Sequence, residues 1–144
     1  MPQTIDTQLK IEADGFAFTE CPRWHDGQFY FSDVQGNRVC RLSATGKVVT
    51  LLELADNPSG LGFLPNGDLL VVSVHDEKLL RVSKDGSMRE HADLSGVVDY
   101  GINDMVVDRR GRVYLDVSRE LWNNDHDTIR LLDSQGEVVA VTSY

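Results

Sequence analysis

The chain has no apolar run near the roughly 18 residues that a membrane-spanning helix requires. Its first ten residues, Met1 to Lys10, are polar and carry no apolar signal core. A cytoplasmic protein is therefore expected. Positive charge is scarce, with 14 Lys and Arg against 23 Asp and Glu, a formal net charge of −9. Such a surface repels phosphate backbones and anionic lipid, so neither a nucleic-acid nor a membrane partner is expected. Only two cysteines occur, Cys21 and Cys40. They lack metal-type spacing and read as reduced, buried thiols. The histidines, His25, His75, His91 and His126, show no H-x-x-x-H spacing and read as surface residues on turns or strand ends. There is no G-x-S-x-G elbow and no phosphate-binding glycine loop. Ser59-Gly60-Leu61-Gly62 superficially resembles such a loop, but it precedes a strand and not a helix. No stretch of useful length repeats apolar residues at the helical period of 3.6.

What the chain does contain is a segment written three times. His25-Asp26-Gly27-Gln28-Phe29-Tyr30-Phe31-Ser32 returns as Pro65-Asn66-Gly67-Asp68-Leu69-Leu70-Val71-Val72, and again as Arg109-Arg110-Gly111-Arg112-Val113-Tyr114-Leu115-Asp116. Each copy is a polar turn closed by glycine, then an apolar run rich in aromatic and branched residues. The glycines lie 40 and then 44 residues apart. A period of that size with strand and turn chemistry is the mark of β-propeller blades. The hydrophobic fraction of 41% suffices for a packed core, and 26% charged residues do not indicate disorder.

The pattern predicts an all-β fold: an N-terminal segment, 1–14, then blades over about 15–54, 57–94 and 100–144. Four antiparallel strands are expected in each blade. In the first they cover 17–24, 28–33, 39–43 and 48–54. The second has 60–64, 68–73, 79–83 and 88–92. The third has 104–107, 112–117, 128–132 and 138–142. Turns such as Asp26-Gly27 supply residues that accept positive φ. Extra length in the third blade falls at residues 119–127, which include Trp122. Three blades cannot close a ring, since propellers have about four to eight. Either the chain is half of a longer six-bladed protein, or two copies pair as a homodimer to close the ring.

Departures from the repeat mark the candidate site. With Trp24, Phe63 and Val107 aligned, Glu20, Ser59 and Asn103 occupy one equivalent position, and Cys21, Gly60 and Asp104 the next. The first strand of a blade is innermost, so its start lies at the mouth of the central channel. Carboxylate and amide oxygens there suit a hard cation such as Ca²⁺, Mg²⁺ or Mn²⁺. On the residues alone, Glu20 reads also as an exposed loop carboxylate before Pro22, Asn103 and Ser59 as turn residues, and Asp104 as a cap acceptor.

Glu20-Cys21-Pro22-Arg23-Trp24 followed by Phe29-Tyr30-Phe31-Ser32-Asp33 resembles the E-x-P-x-W and L-Y-F-x-D motifs that open the gluconolactonase family, also called senescence marker protein and luciferin-regenerating enzyme-like. Asn103-Asp104 followed by Val107-Asp108-Arg109-Arg110-Gly111-Arg112-Val113-Tyr114 resembles its N-D-x-x-V-D-x-x-G-R-x-Y motif. Asn57-Pro58-Ser59-Gly60-Leu61 fits the start of its second blade. The resemblance runs from about Gly15 to Ala140. It implies a six-bladed propeller of about twice this length that opens sugar lactones or related esters with a divalent cation, calcium first, with zinc, manganese or magnesium as alternatives. It carries Glu20 over as a metal ligand and Asn103 as a residue contacting substrate or a metal-bound water. Asp104 would brace the loop, with Ser59 supporting it, and Glu120 matches loosely an acidic substrate-binding position. Two further ligands and the general base would lie beyond Tyr144, and a substrate-binding Arg is replaced by Gly101. The sequence therefore leaves two readings: a lactone hydrolase that is incomplete in this chain, and a non-catalytic half-propeller that binds and assembles by pairing.

Overall fold

A computed structural model of the chain describes residues 10–97, 101–116, 128–133 and 135–143. Three four-stranded antiparallel sheets follow one another in sequence order. The first holds β1 (Thr19–His25), β2 (Gln28–Asp33), β3 (Arg38–Leu42) and β4 (Val48–Glu53). The second holds β5 (Pro58–Phe63), β6 (Leu69–Ser73), β7 (Lys78–Val82) and β8 (Met88–Asp93). The third holds β9 (Met105–Val107), β10 (Val113–Asp116), β11 (Thr128–Leu132) and β12 (Val138–Ser143). Each is a simple meander, and β5 packs against both β1 and β9. The sheets therefore stand side by side along their first strands, as propeller blades do. No helix occurs among the described residues.

Turn chemistry sets these elements. Asp26 and Gly27 both take positive φ, 46° and 73°, and join His25 to its partner Gln28. That is a two-residue hairpin whose handedness matches strand twist. The second sheet is buried on both sides, so β6 is a continuous apolar run and does not alternate. Its Leu69 and Val71 pack with Cys21, Tyr30, Val39 and Leu61 of the first interface. Its Leu70 and Val72 pack the other way, with Met105, Val113, Leu115 and Leu132 of the third sheet. The flanks are open: Trp24 is 70% exposed, and Phe18 and Val106 are also exposed.

The predicted first strand began at Ala17. The observed one begins at Thr19, because the amides of Ala17 and Phe18 are taken by the Asp33 carboxylate, both at 2.9 Å. Asp33 is fully buried, and its other oxygen accepts from Arg38. In the second sheet the matching residue is Ser73, and the carboxylate comes from Asp56. Asp56 Oδ2 accepts from Ser73 Oγ at 2.9 Å, His75 N at 2.7 Å and Asp76 N at 3.0 Å, while its Oδ1 faces His75 Nδ1 at 2.7 Å. Burial raises the pKa of Asp56, but these donors outweigh it and bring the group down to about 2 from 3.8. A depressed carboxylate stabilises the fold above its unfolded pKa and loses that stabilisation as pH falls through the folded value. Asp56→Ala is expected to remove about 2 kcal/mol at neutral pH and to flatten the loss of stability between about pH 4 and pH 2, read by urea unfolding against pH.

His91 corrects an expectation. It was read as a surface residue, but it is 9% exposed, because the Gly136 turn of the third sheet packs on its backbone. Burial and the nearby Arg81 and Arg89 lower its pKa, so it stays neutral at pH 7.

Candidate functional site

The starts of β1 and β5 and the segment leading into β9 come together at one end of the sheets. Close approach is possible because β5 carries glycine at positions 60 and 62. A Cβ on Gly60 would lie 2.8 Å from the carbonyl oxygen of Asn103, and one on Gly62 would meet Val107 and Met105. The backbones touch instead: Gly60 N donates to Asn103 O at 2.9 Å. That bond brings the buried Ser59 side chain to Asn103, and Ser59 Oγ donates to Asn103 Oδ1 at 3.1 Å. Cys21 Sγ lies 3.7 Å from Ser59 Oγ. With the Ser59 proton committed to Asn103, the thiol is the donor of that pair. Ser32 Oγ fixes the chain from behind by donating to Ser59 O at 2.6 Å.

Asp104 is held from two sides. Its Oδ1 accepts from Met105 N at 2.7 Å and from Arg23 Nη2 at 2.6 Å. The same Arg23 nitrogen donates to Met105 O at 2.7 Å. Arg23 thus reaches from the first sheet, past the second, to the third. The sequence reading used Arg23 only as the variable residue of a motif. No local signal reveals its partner, which lies 81 residues away.

The structure brings Ser59 and Asn103 into contact, with Cys21 beside them, and ties Asp104 to Arg23. Glu20 is half-buried and makes no hydrogen bond to any of them. It lines a cavity of about 400 Å³ on the open side of the first sheet, with Phe16, Phe29 and Phe31. Glu120, Trp122 and His126 lie outside the described residues.

Cys21 occupies a strained position. Its φ is 52°, inside the β-bulge between Glu20 and Arg23, a region that side chains with a Cβ rarely adopt. Burial, reinforced by the Asp104 and Glu20 carboxylates, pushes its thiol up from 9.0 to about 12, against the lowering effect of the Ser59 hydroxyl. A rise of about three pH units lowers the thiolate fraction about a thousandfold at pH 8. In a dithionitrobenzoate assay, Cys21 should react at least about tenfold more slowly in the folded protein than in urea, since a higher thiolate nucleophilicity offsets only part of the lost thiolate. Comparable folded and unfolded rates would contradict its placement.

Among the described residues no three His, Cys, Asp or Glu side chains group closely enough to hold a metal ion. The oxygen of Asn103 is engaged by Ser59, and Asp104 is neutralised by Arg23. These residues do not form a metal site by themselves, and among the described candidates Glu20 is the one free carboxylate. No helix among the described residues is long and apolar enough to cross a membrane.

Comparison with solved structures gives the same fold. The chain is similar to calcium-binding regucalcin from Agrobacterium tumefaciens, at 21% identity and a TM-score of 0.68, over 85% of this chain and 44% of that one. It is similar to a gluconolactonase from Xanthomonas campestris, at 20% identity and 0.71, over 88% and 47%. Likeness extends to virginiamycin B lyase from Staphylococcus aureus, at 19% identity and 0.66, over 97% and 46%. At these identities the likeness shows the propeller fold alone, and the chain spans under half the length of each of these proteins. No curated protein matches it. The family model for the SMP-30/gluconolactonase/LRE-like region matches residues 18–143, so the chain belongs to that family.

Proposed function

We propose that this chain supplies part of a hydrolase of the gluconolactonase type, acting on a sugar lactone or related ester with a divalent cation, calcium first. The contact between Ser59 and Asn103 at the mouth of the inner strands carries the reading. Because Asn103 Oδ1 accepts from Ser59, its amide N–H groups are left as donors, and they have no partner among the described residues. Such donors suit the hydroxyls of a sugar lactone or an attacking water. On this reading Glu20 is one ligand of the cation, and the remaining ligands and the general base come from outside these residues. Asp104 positions Asn103 through Arg23.

The test is hydrolysis of gluconolactone at constant pH, with and without Ca²⁺, Mn²⁺ or Zn²⁺. The expected result is metal-dependent turnover in protein with a closed ring, lowered at least about tenfold by Glu20→Gln and by Asn103→Ala. The 144-residue chain alone should be inactive or weak. Turnover that is indifferent to chelator and to Glu20→Gln overturns the reading.

A second reading rests on the open flanks, where Trp24 is 70% exposed and Val106 64%. An apolar surface of this kind seeks cover, and two copies could pair as a non-catalytic module. Light scattering decides: a stable species of 16.1 kDa excludes pairing, and one of twice that mass supports it.

A further inference from the structure

Arginines occupy the same place in the first two sheets. Arg41 of β3 lies opposite Tyr30, and Arg81 of β7 lies opposite Leu70, each partner three residues after its turn glycine. Arg81 is neutralised within its own sheet: its Nε donates to Asp68 Oδ2 at 2.7 Å, and its Nη2 lies 2.6 Å from the same oxygen. In the first sheet the position of Asp68 is filled by Gln28. Among the described residues Arg41 has no ion pair, and its Nε is buried without an acceptor. A buried donor left unmade is costly, and nearly all such groups in folded proteins are satisfied.

Arg41 and Gln28 line a cavity of about 300 Å³ between the first two sheets. It lies at the ends of β1 and β5, opposite the Ser59–Asn103 contact. Its wall is aromatic. The rings of Tyr30 and Phe63 meet edge to face at 4.9 Å, and His25 stacks on Phe63 at 3.7 Å. Lys84 adds a second cation. Among the described lining residues Asp26 is the one carboxylate, and its side chain is 81% exposed and directed to His25 at 3.5 Å.

We propose that this cavity binds a small aromatic carboxylate, with its charge on Arg41 and Lys84 and its ring against Tyr30 and Phe63. A planar guanidinium pairs well with a planar carboxylate. An apolar wall with a few fixed polar groups is the usual make-up of a small-molecule pocket, and this volume sits at the lower end of the usual range. The site is independent of the hydrolase reading, since it shares no residue with it.

Benzoate, acetate and benzyl alcohol serve as probes, titrated against the protein by NMR and calorimetry. Benzoate should bind saturably and shift the Tyr30 and Phe63 signals, while acetate lacks the ring and benzyl alcohol the charge. Arg41→Gln should weaken benzoate about tenfold or more. Gln28→Asp gives Arg41 the internal partner that Asp68 gives Arg81. It should weaken benzoate similarly while raising the melting temperature, so the test stands even if Arg41→Gln fails to fold. Equal binding of benzyl alcohol or acetate, or unchanged affinity in a folded variant of either kind, overturns the proposal.

Discussion

Gly60→Ala will lower the unfolding free energy by about 3 kcal/mol, although it adds a single methyl group. The reason is space and not backbone conformation, since Gly60 is not among the residues at positive φ. Its Cβ would lie 2.8 Å from Asn103 O, 2.9 Å from Asp104 Cα and 3.0 Å from Met105 N. All three are backbone atoms, so no rotamer change clears the clash. The chain entering β9 must retreat, which breaks the Gly60–Asn103 hydrogen bond and draws Asn103 away from Ser59. Gly86→Ala is the control. Gly86 takes φ +85° with open space around it, so only the left-handed conformation opposes a side chain, at about 1 kcal/mol. Urea unfolding of both variants separates the effects. A Gly60→Ala loss no larger than that of Gly86→Ala contradicts the packing of β5 on the third sheet.

Asp33→Ala should be at least as damaging, at about 3–5 kcal/mol. The carboxylate is fully buried and holds four donors: the amides of Ala17 and Phe18, and Nε and Nη2 of Arg38. Truncation strands a guanidinium and two amides together. Burial raises the pKa of Asp33, but the Phe18 amide, Arg38 and the Ala17 amide bring the net value below 3.8. Its stabilisation is therefore present above that value and lost in acid. Asp33→Asn keeps one acceptor oxygen and should recover part of the loss. Full stability in Asp33→Ala would mean that residues 15–18 are not anchored through this carboxylate.

The sheets were legible because their signals are local. Asp26-Gly27 names its own turn, and the run Leu69 to Val72 declares a strand covered on both faces. The repeat aligns Ser59, Asn103 and Glu20 at one position, but only the structure shows that the first two touch and the third does not. The rest depends on distant partners. The role of Arg23 is set by Asp104 across two sheet boundaries, and the buried state of His91 is set by a turn more than forty residues later. The glycine pattern of residues 59–62 lies inside β5. Its purpose, letting two backbones touch, shows only when β9 is in place. The move of the bracing carboxylate from Asp33 in one sheet to Asp56 in the next is likewise hidden, because the residues are not equivalent in sequence.

In a stack of repeats each unit ordinarily answers only to its neighbours, and stability is close to a sum of adjacent terms. The Arg23 guanidinium breaks that rule by skipping the middle sheet to grip Asp104 and Met105 O. Loosening either outer sheet thus releases a tether on the other. The chain gains cooperativity over its length, and fraying at one end is felt at both.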